Sequence, residues 1–305
     1  MQGRVISIDY LRVLLAGFVV LGHSGFARDV IGDTGLAVGN SILRVAVPVF
    51  TIIAGYFLAT TLRSGRLSPW VGQLLAMYAI WSLVYIVFLW PYFSTRPVSL
   101  TLRDLTLGFM HLWFLQGIAI AGIMLGGFRR LGPRAVILSA VAFALLGLGL
   151  QYARMAELSQ VPIEHYRNGP FYLYPFLAMG WLMAEGMRMR MAVLAAILGL
   201  AMTVAENMLW IARIGHDPLL EIPLGHFLLC PAIFMLVRRI PMPATTLPLG
   251  AAAAGIYVMH VIVLQGLPLI GVDDLLVAVI LGIALPFGVV WARQAIAVRR
   301  SGIRP

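Results

Sequence analysis

Apolar residues run along this chain in blocks of about twenty, separated by short polar stretches rich in Arg, Gly and Pro. A helix needs about twenty residues to cross some 30 Å of hydrocarbon at about 1.5 Å per residue. The pattern predicts ten helical spans, at residues 7–26, 42–62, 72–90, 112–128, 135–151, 170–187, 191–210, 219–237, 247–268 and 275–296. The connections leave no room for a soluble domain. The expected fold is therefore an all-α polytopic membrane protein with about ten transmembrane helices, one membrane domain over residues 1–305. No repeat of fixed period and no low-complexity stretch interrupts it. The first block follows Arg4 but is broken by Asp9 and Arg12, and no A-x-A pattern comes after it, so it is read as a retained span and not a cleaved signal.

The polar exceptions inside the blocks carry the chemistry. In Ser7–Phe26, the eleven steps from Arg12 to His23 return to within about 20° of the starting direction, and the fourteen from Asp9 end about 40° off, so the three side chains share a helix face. The rise places His23 about 16 Å beyond Arg12, half the thickness of a hydrocarbon core. The stripe fits a functional element; it also fits a first span with a snorkelling Arg at one interface and a His at the other.

Composition agrees with the pattern. The 305 residues are 61% hydrophobic and 11% charged, with mean hydropathy +0.94, too apolar for a water-soluble domain of this length. A net charge of +10 raises the question of nucleic acid, but the basic residues are scattered singly between apolar blocks and form no patch. Orientation explains them better. With ten spans, fifteen arginines including Arg4 and Arg304 fall on the side of the termini and seven including Arg28 on the other, which predicts cytoplasmic termini. All six histidines, His216 among them, then fall in the outer half. All 22 basic residues are Arg, so lysine-centred covalent chemistry is excluded. The single cysteine, Cys230, lies within a span and allows no disulfide or thiolate metal site. No HxxxH or HExxH spacing occurs, and no metal is expected.

Further candidates follow along the chain. Arg63 and Arg66, three residues apart at an inner mouth, make a compact anion site or a positive-inside stop signal. His111 opens the fourth span beside Trp113 and Phe114, where an interface anchor is also expected. The longest outer connection, Gln151–Gly169, offers Glu157, Glu164, His165, Arg167 and Asn168, a set suited to a hydroxylated substrate and equally to a solvated loop. Glu206 is an acid at membrane depth, hence functional, paired or reaching the interface. Tyr257 and His260 share a face of the ninth span.

Taken together, these stretches resemble the membrane-bound acyltransferase-3 family of bacterial O-acyltransferases. The Arg12-x10-His23 stripe after Asp9 is similar to the family's first-span motif, and VPVFTIIAGYFL to its second span. Arg63-x-x-Arg66 matches its Arg-x-x-Arg, HLWFL its fourth-span start, YPFLAMGWL its mid-chain aromatic-Pro-Gly span and IYVMH its late Tyr-x-x-His. The motifs occur in family order from residue 6 to about 265. Gln73 stands where relatives often carry another basic residue, and no soluble hydrolase-like domain is appended.

The resemblance implies an enzyme of a bacterial cytoplasmic membrane that moves an acyl group, acetyl at family level, from cytoplasmic acyl-CoA to a hydroxyl of an outer-side glycan or envelope molecule. His23 becomes the general base, with Arg12, Arg63 and Arg66 toward CoA and Arg129 or Arg130 beside them. His111, Tyr257 and His260 are the candidate oxyanion donors, and Glu206 or Glu157 the candidate orienters of the imidazole. The rival class is a transporter or exporter of a glycan or small molecule. Against it stand the absence of inverted repeats and the scarcity of mid-membrane acids. Consumption of a thioester separates the two.

Overall fold

Hydrocarbon satisfies no backbone hydrogen bonds, so an apolar chain of this kind must close its bonds within helices. The computed structural model describes residues 5–26, 35, 37, 39–215 and 220–301, and among them there is helix and no strand. Arg4, Arg28, Arg304 and His216, used above for orientation, lie outside the described residues. In chain order the helices are α1 (Ile6–Ser24), α2 (Ala46–Arg63), α3 (Leu67–Phe88), α4 (Val98–Leu107), α5 (Trp113–Phe128), α6 (Pro133–Met155), α7 (Tyr174–Ala184), α8 (Ala192–Ile214), α9 (His226–Val237), α10 (Leu249–Gly266) and α11 (Leu275–Ser301).

Eight helical stretches of the described residues are long and apolar enough to cross a membrane: α1, α2, α3, α4 run on into α5, α6, α8, α10 and α11. The chain is an all-α polytopic membrane protein. The two other expected spans fold as shorter pieces. Residues 170–187 form one π-helical turn, Gly169–Leu173, followed by α7, and residues 219–237 yield only the twelve-residue α9. Pro175 and Pro170 each stand at a helical first turn, where a missing N–H is no loss.

The chain divides into two compact units. One is Val47–Ala232; the other joins the residues up to Ala46 with those from Ile233 on. In the first, α2 and α7 cross at two glycines. A Cβ on Gly55 would overlap the Leu177 carbonyl, and one on Gly180 the Ile52 carbonyl, so only glycine lets these backbones meet. Such crossings replace the hydrophobic drive that lipid cannot supply between helices. Along α5, Gly122 seats the Trp70 ring and Gly126 the Leu67 side chain, which brings the far end of α5 beside the turn between α2 and α3.

In the second unit α1 packs against α10 and α11. Gly250, in the first turn of α10, lies beside Asp9 and Arg12, while His260 lies against His23. The two helices therefore run side by side in the same direction. Parallel membrane helices have an even number of crossings from the start of one to the start of the next, so α7 and α9 either both cross or both do not.

Candidate active site

The imidazoles of the second unit meet within this parallel pair. The rings of His23 and His260 lie edge to face with centroids 4.9 Å apart and planes at 67°. His23 Nδ1 is 2.8 Å from the Val19 carbonyl, one turn earlier on α1. His260 Nδ1 is 2.8 Å from the Tyr257 carbonyl and 3.1 Å from that of Ile256. A carbonyl only accepts, so Nδ1 carries the proton in each neutral ring and the lone pair resides on Nε2. Both rings are thus held at Nδ1 by carbonyls of their own helices. His260 is fully buried and His23 exposed, which gives the pair one fixed ring and one accessible ring. The same tautomer leaves no proton on Nε2 of neutral His260. Tyr257, half-buried, lies 6.5 Å from His260 between ring centroids.

At the other end of the stripe Arg12 Nη1 donates to Asp9 Oδ1 at 3.1 Å. A Cβ on Gly250 would stand 3.3 Å from that carboxylate oxygen and 3.5 Å from Nη1, so the ion pair lies directly against the start of α10. The charge is compensated where it enters the apolar layer.

The first unit gathers its arginines at a helix end. α2 closes in a Schellman motif: Gly65 N–H bonds to Leu62 O, Arg66 N–H bonds to Thr61 O, and Gly65 is left-handed at φ 70°. This turn sets Arg63 and Arg66 on its exposed side. Arg63 Nη2 pairs with Glu185 Oε1 at 2.9 Å, Arg66 Nε donates to Ser64 Oγ at 3.2 Å, and Arg129 Nη2 reaches across to the Leu62 carbonyl at 3.1 Å. Three of the predicted cations therefore share one turn, and Arg130 is exposed next to Arg129. Glu185 is the residue that the sequence did not single out. It sits at the end of α7, whose own Schellman turn runs through Gly186.

His111 lies in a one-turn 3₁₀ segment, Met110–Leu112, and is buried with its ring against Tyr85 at 4.9 Å. The preceding Met110 has φ 48°, a left-handed conformation that costs a side-chain-bearing residue of order 1–2 kcal/mol. Tyr78 holds this loop. Its hydroxyl donates to the Leu105 carbonyl and accepts from Phe109 N–H.

The predicted acceptor residues have distinct surroundings. Glu157 is exposed at φ 60°, the C′ position of the Schellman turn that ends α6. Glu164 and His165 line a cavity of about 270 Å³ with Trp113, Gln116 and Thr106. Arg167 lies over the Trp113 ring at 5.4 Å and 3.8 Å from Glu221. The Asn168 side chain is a capping group: its oxygen accepts from Phe171 N–H, and its amide donates to the carbonyls of Glu164 and His165. Glu206 uses one carboxylate oxygen on the Tyr152 hydroxyl and the other on Leu224 N–H at 2.7 Å. With Gln151, whose side chain binds the backbone of Glu221 and Ile222, it ties the segment before α9 to α6 and α8. Trp113 and Gln116, absent from the sequence candidates, had one signal: a polar and an aromatic side chain within the first turns of an otherwise apolar block.

The fold and these sites define a class, a polytopic membrane protein whose ionisable side chains are set on helix faces and helix ends within an apolar framework. The chain belongs to the acyltransferase-3 family: the family model described as "Acyltransferase domain" matches residues 5–292, from α1 through most of α11. It is a membrane acyltransferase. No curated protein and no solved structure matches it. Among the described residues no three His, Cys, Asp or Glu side chains are grouped to hold a metal ion.

Proposed function

We propose that this chain transfers an acyl group, acetyl in the simplest case, from cytoplasmic acyl-CoA to a hydroxyl on the far side of a bacterial inner membrane, with both termini cytoplasmic. The observation that carries the reading is the state of His23, whose Nδ1 is bound to a backbone carbonyl and whose lone pair is therefore on Nε2. Nε2 takes the proton from an acceptor hydroxyl as the oxygen attacks the thioester carbonyl. The tetrahedral oxyanion collapses, the carbon–sulfur bond breaks, and the proton passes from His23 to the departing CoA thiolate. His260 keeps the His23 ring in place, and Tyr257 is the oxyanion donor.

The arginines suit the donor. The CoA head carries several phosphate charges, and guanidinium forks bind phosphate with two parallel hydrogen bonds. Arg63, Arg66, Arg129 and Arg130 hold the head, while Arg12, compensated by Asp9, guides the rest of the donor. Glu157, Glu164, His165, Arg167 and Asn168 form the acceptor side, where a glycan or another hydroxylated envelope molecule approaches. The fifteen-to-seven division of arginines supports this orientation.

The test is thiol release from acetyl-CoA by the purified chain in lipid nanodiscs, with and without envelope extract as acceptor, followed by mass spectrometry of the acylated product. The expected result is acceptor-dependent release that His23→Ala abolishes while the variant still inserts and melts like the parent. Full activity in His23→Ala removes His23 from the chemistry; no release by the parent, with accumulation of a glycan in sealed vesicles, favours the exporter reading.

A further inference from the structure

The cavity at the His111 end of α5 has a composition that the transfer reaction alone does not explain. Its volume of about 270 Å³ lies just below the roughly 300–1,000 Å³ typical of sites for drug-sized ligands, so it admits one ring and not a chain of rings. Two of its lining residues are glycines in backbone contact: a Cβ on Gly169 would stand 2.6 Å from the Gly117 carbonyl oxygen, so no larger residue fits there without a shift. Trp113 is a rigid part of the lining, stacked on Tyr172 at 6.0 Å and 16° with Arg167 against it.

The lining is mixed. It includes Leu107 and Ile120, 45% and 37% exposed on helical segments of an apolar span, together with Phe171. Exposed aliphatic side chains on such a helix meet lipid chains. The loop supplies Glu164 and His165, and α5, one turn before Ile120, supplies Gln116, whose amide donates to the Thr106 carbonyl at 2.7 Å and retains an acceptor oxygen. Among the described residues Glu164 is the only carboxylate in the lining and no arginine is there, although the net charge is +10. A phosphate would meet the Glu164 carboxylate in the lining, and the neighbouring guanidinium, that of Arg167 over the Trp113 ring, is itself 3.8 Å from Glu221. Hydroxyls would meet a carboxylate, an imidazole and an amide, all able to accept or exchange hydrogen bonds.

We infer that this cavity is a lateral docking site for a membrane amphiphile with a neutral, hydroxylated ring as head and a hydrocarbon chain as tail, the head among Gln116, Glu164 and His165 and the tail along Leu107 and Ile120. That the bound head is the acyl acceptor rests on the function proposed above; the binding itself does not.

The probe is an alkyl glucoside with a diazirine in its tail, applied to the full chain in nanodiscs made without sugar detergents, with the labelled positions mapped by mass spectrometry. Label is expected on peptides covering 106–120 and 164–171, displaced by excess dodecyl glucoside and untouched by free glucose or phosphatidylglycerol. Loss of a hydrogen bond to the head costs about 0.5–1.5 kcal/mol, so Gln116→Leu lowers labelling roughly two- to tenfold. Glu164→Gln, on the loop where folding is not at stake, lowers it in the same direction. Label confined to other helices, equal displacement by phosphatidylglycerol, or displacement by free glucose alone overturns the inference. Because labelling needs no acyl donor, a chain that binds the glucoside but releases no CoA defeats the transfer reading alone, and one that releases CoA without label here defeats this one alone.

Discussion

The histidine pair of the second unit and the arginine turn of the first are held by opposite means. His23 and His260 are fixed through Nδ1 to carbonyls of their own helices, bonds that shift only if the helices do. Arg63 is held by an ion pair with Glu185 in which the side chains are 53% and 37% exposed, and Arg66 by a hydroxyl two residues away. Exposed pairs of that kind are worth about 0.2–1 kcal/mol and exchange readily with an incoming anion. The proposed base needs one orientation, which backbone carbonyls give it; the proposed phosphate grip needs to open and close, which exposed side chains allow.

This contrast can be broken in order of size. His23→Ala removes the proposed base and is expected to lower acceptor-dependent thiol release about 10²–10⁴-fold, with an unchanged melting profile; a drop of less than tenfold would place the base elsewhere. Arg63→Ala removes a charge-assisted phosphate contact worth about 1.5–3 kcal/mol, so KM for acetyl-CoA rises roughly ten- to a hundredfold with kcat little changed. A fall in kcat alone would contradict a donor-gripping role. Glu185→Gln acts with the opposite sign: it frees Arg63, and KM falls by a factor of about two to five. Glu157→Gly relieves a left-handed side-chain residue and stabilises the chain by about 1 kcal/mol, read as a higher melting temperature. Unchanged activity in that variant would assign Glu157 to the turn and remove it from catalysis.

Much of this was legible along single helices. The Arg12–His23 stripe and the Tyr257–His260 face follow from helical periodicity, and eight of the expected spans are long helices because length and hydropathy are local properties. Partners across helices were less legible. In a membrane protein the lipid-facing side is as apolar as the packed side, so the pattern does not tell which neighbour a face meets. Glu206 illustrates the point: its depth marked it as chemically notable, but nothing in the sequence pairs it with Tyr152 and Leu224 N–H. The anchoring of Nδ1 by carbonyls was hidden for another reason, since every helical residue carries a carbonyl and no side-chain type announces the bond. Gly55 and Gly180 are the places where two helices touch, and a glycine in an apolar block does not announce which helix it will meet.

Cys230, the chain's single cysteine, is completely enclosed. A water-soluble maleimide therefore finds no native target, and a thiol introduced at exposed Glu157 or at the turn after α2 becomes the sole reactive one. Sidedness can be read from intact cells with the wild-type sulfur left in place, which turns an inert core atom into a silent background for mapping the whole membrane topology.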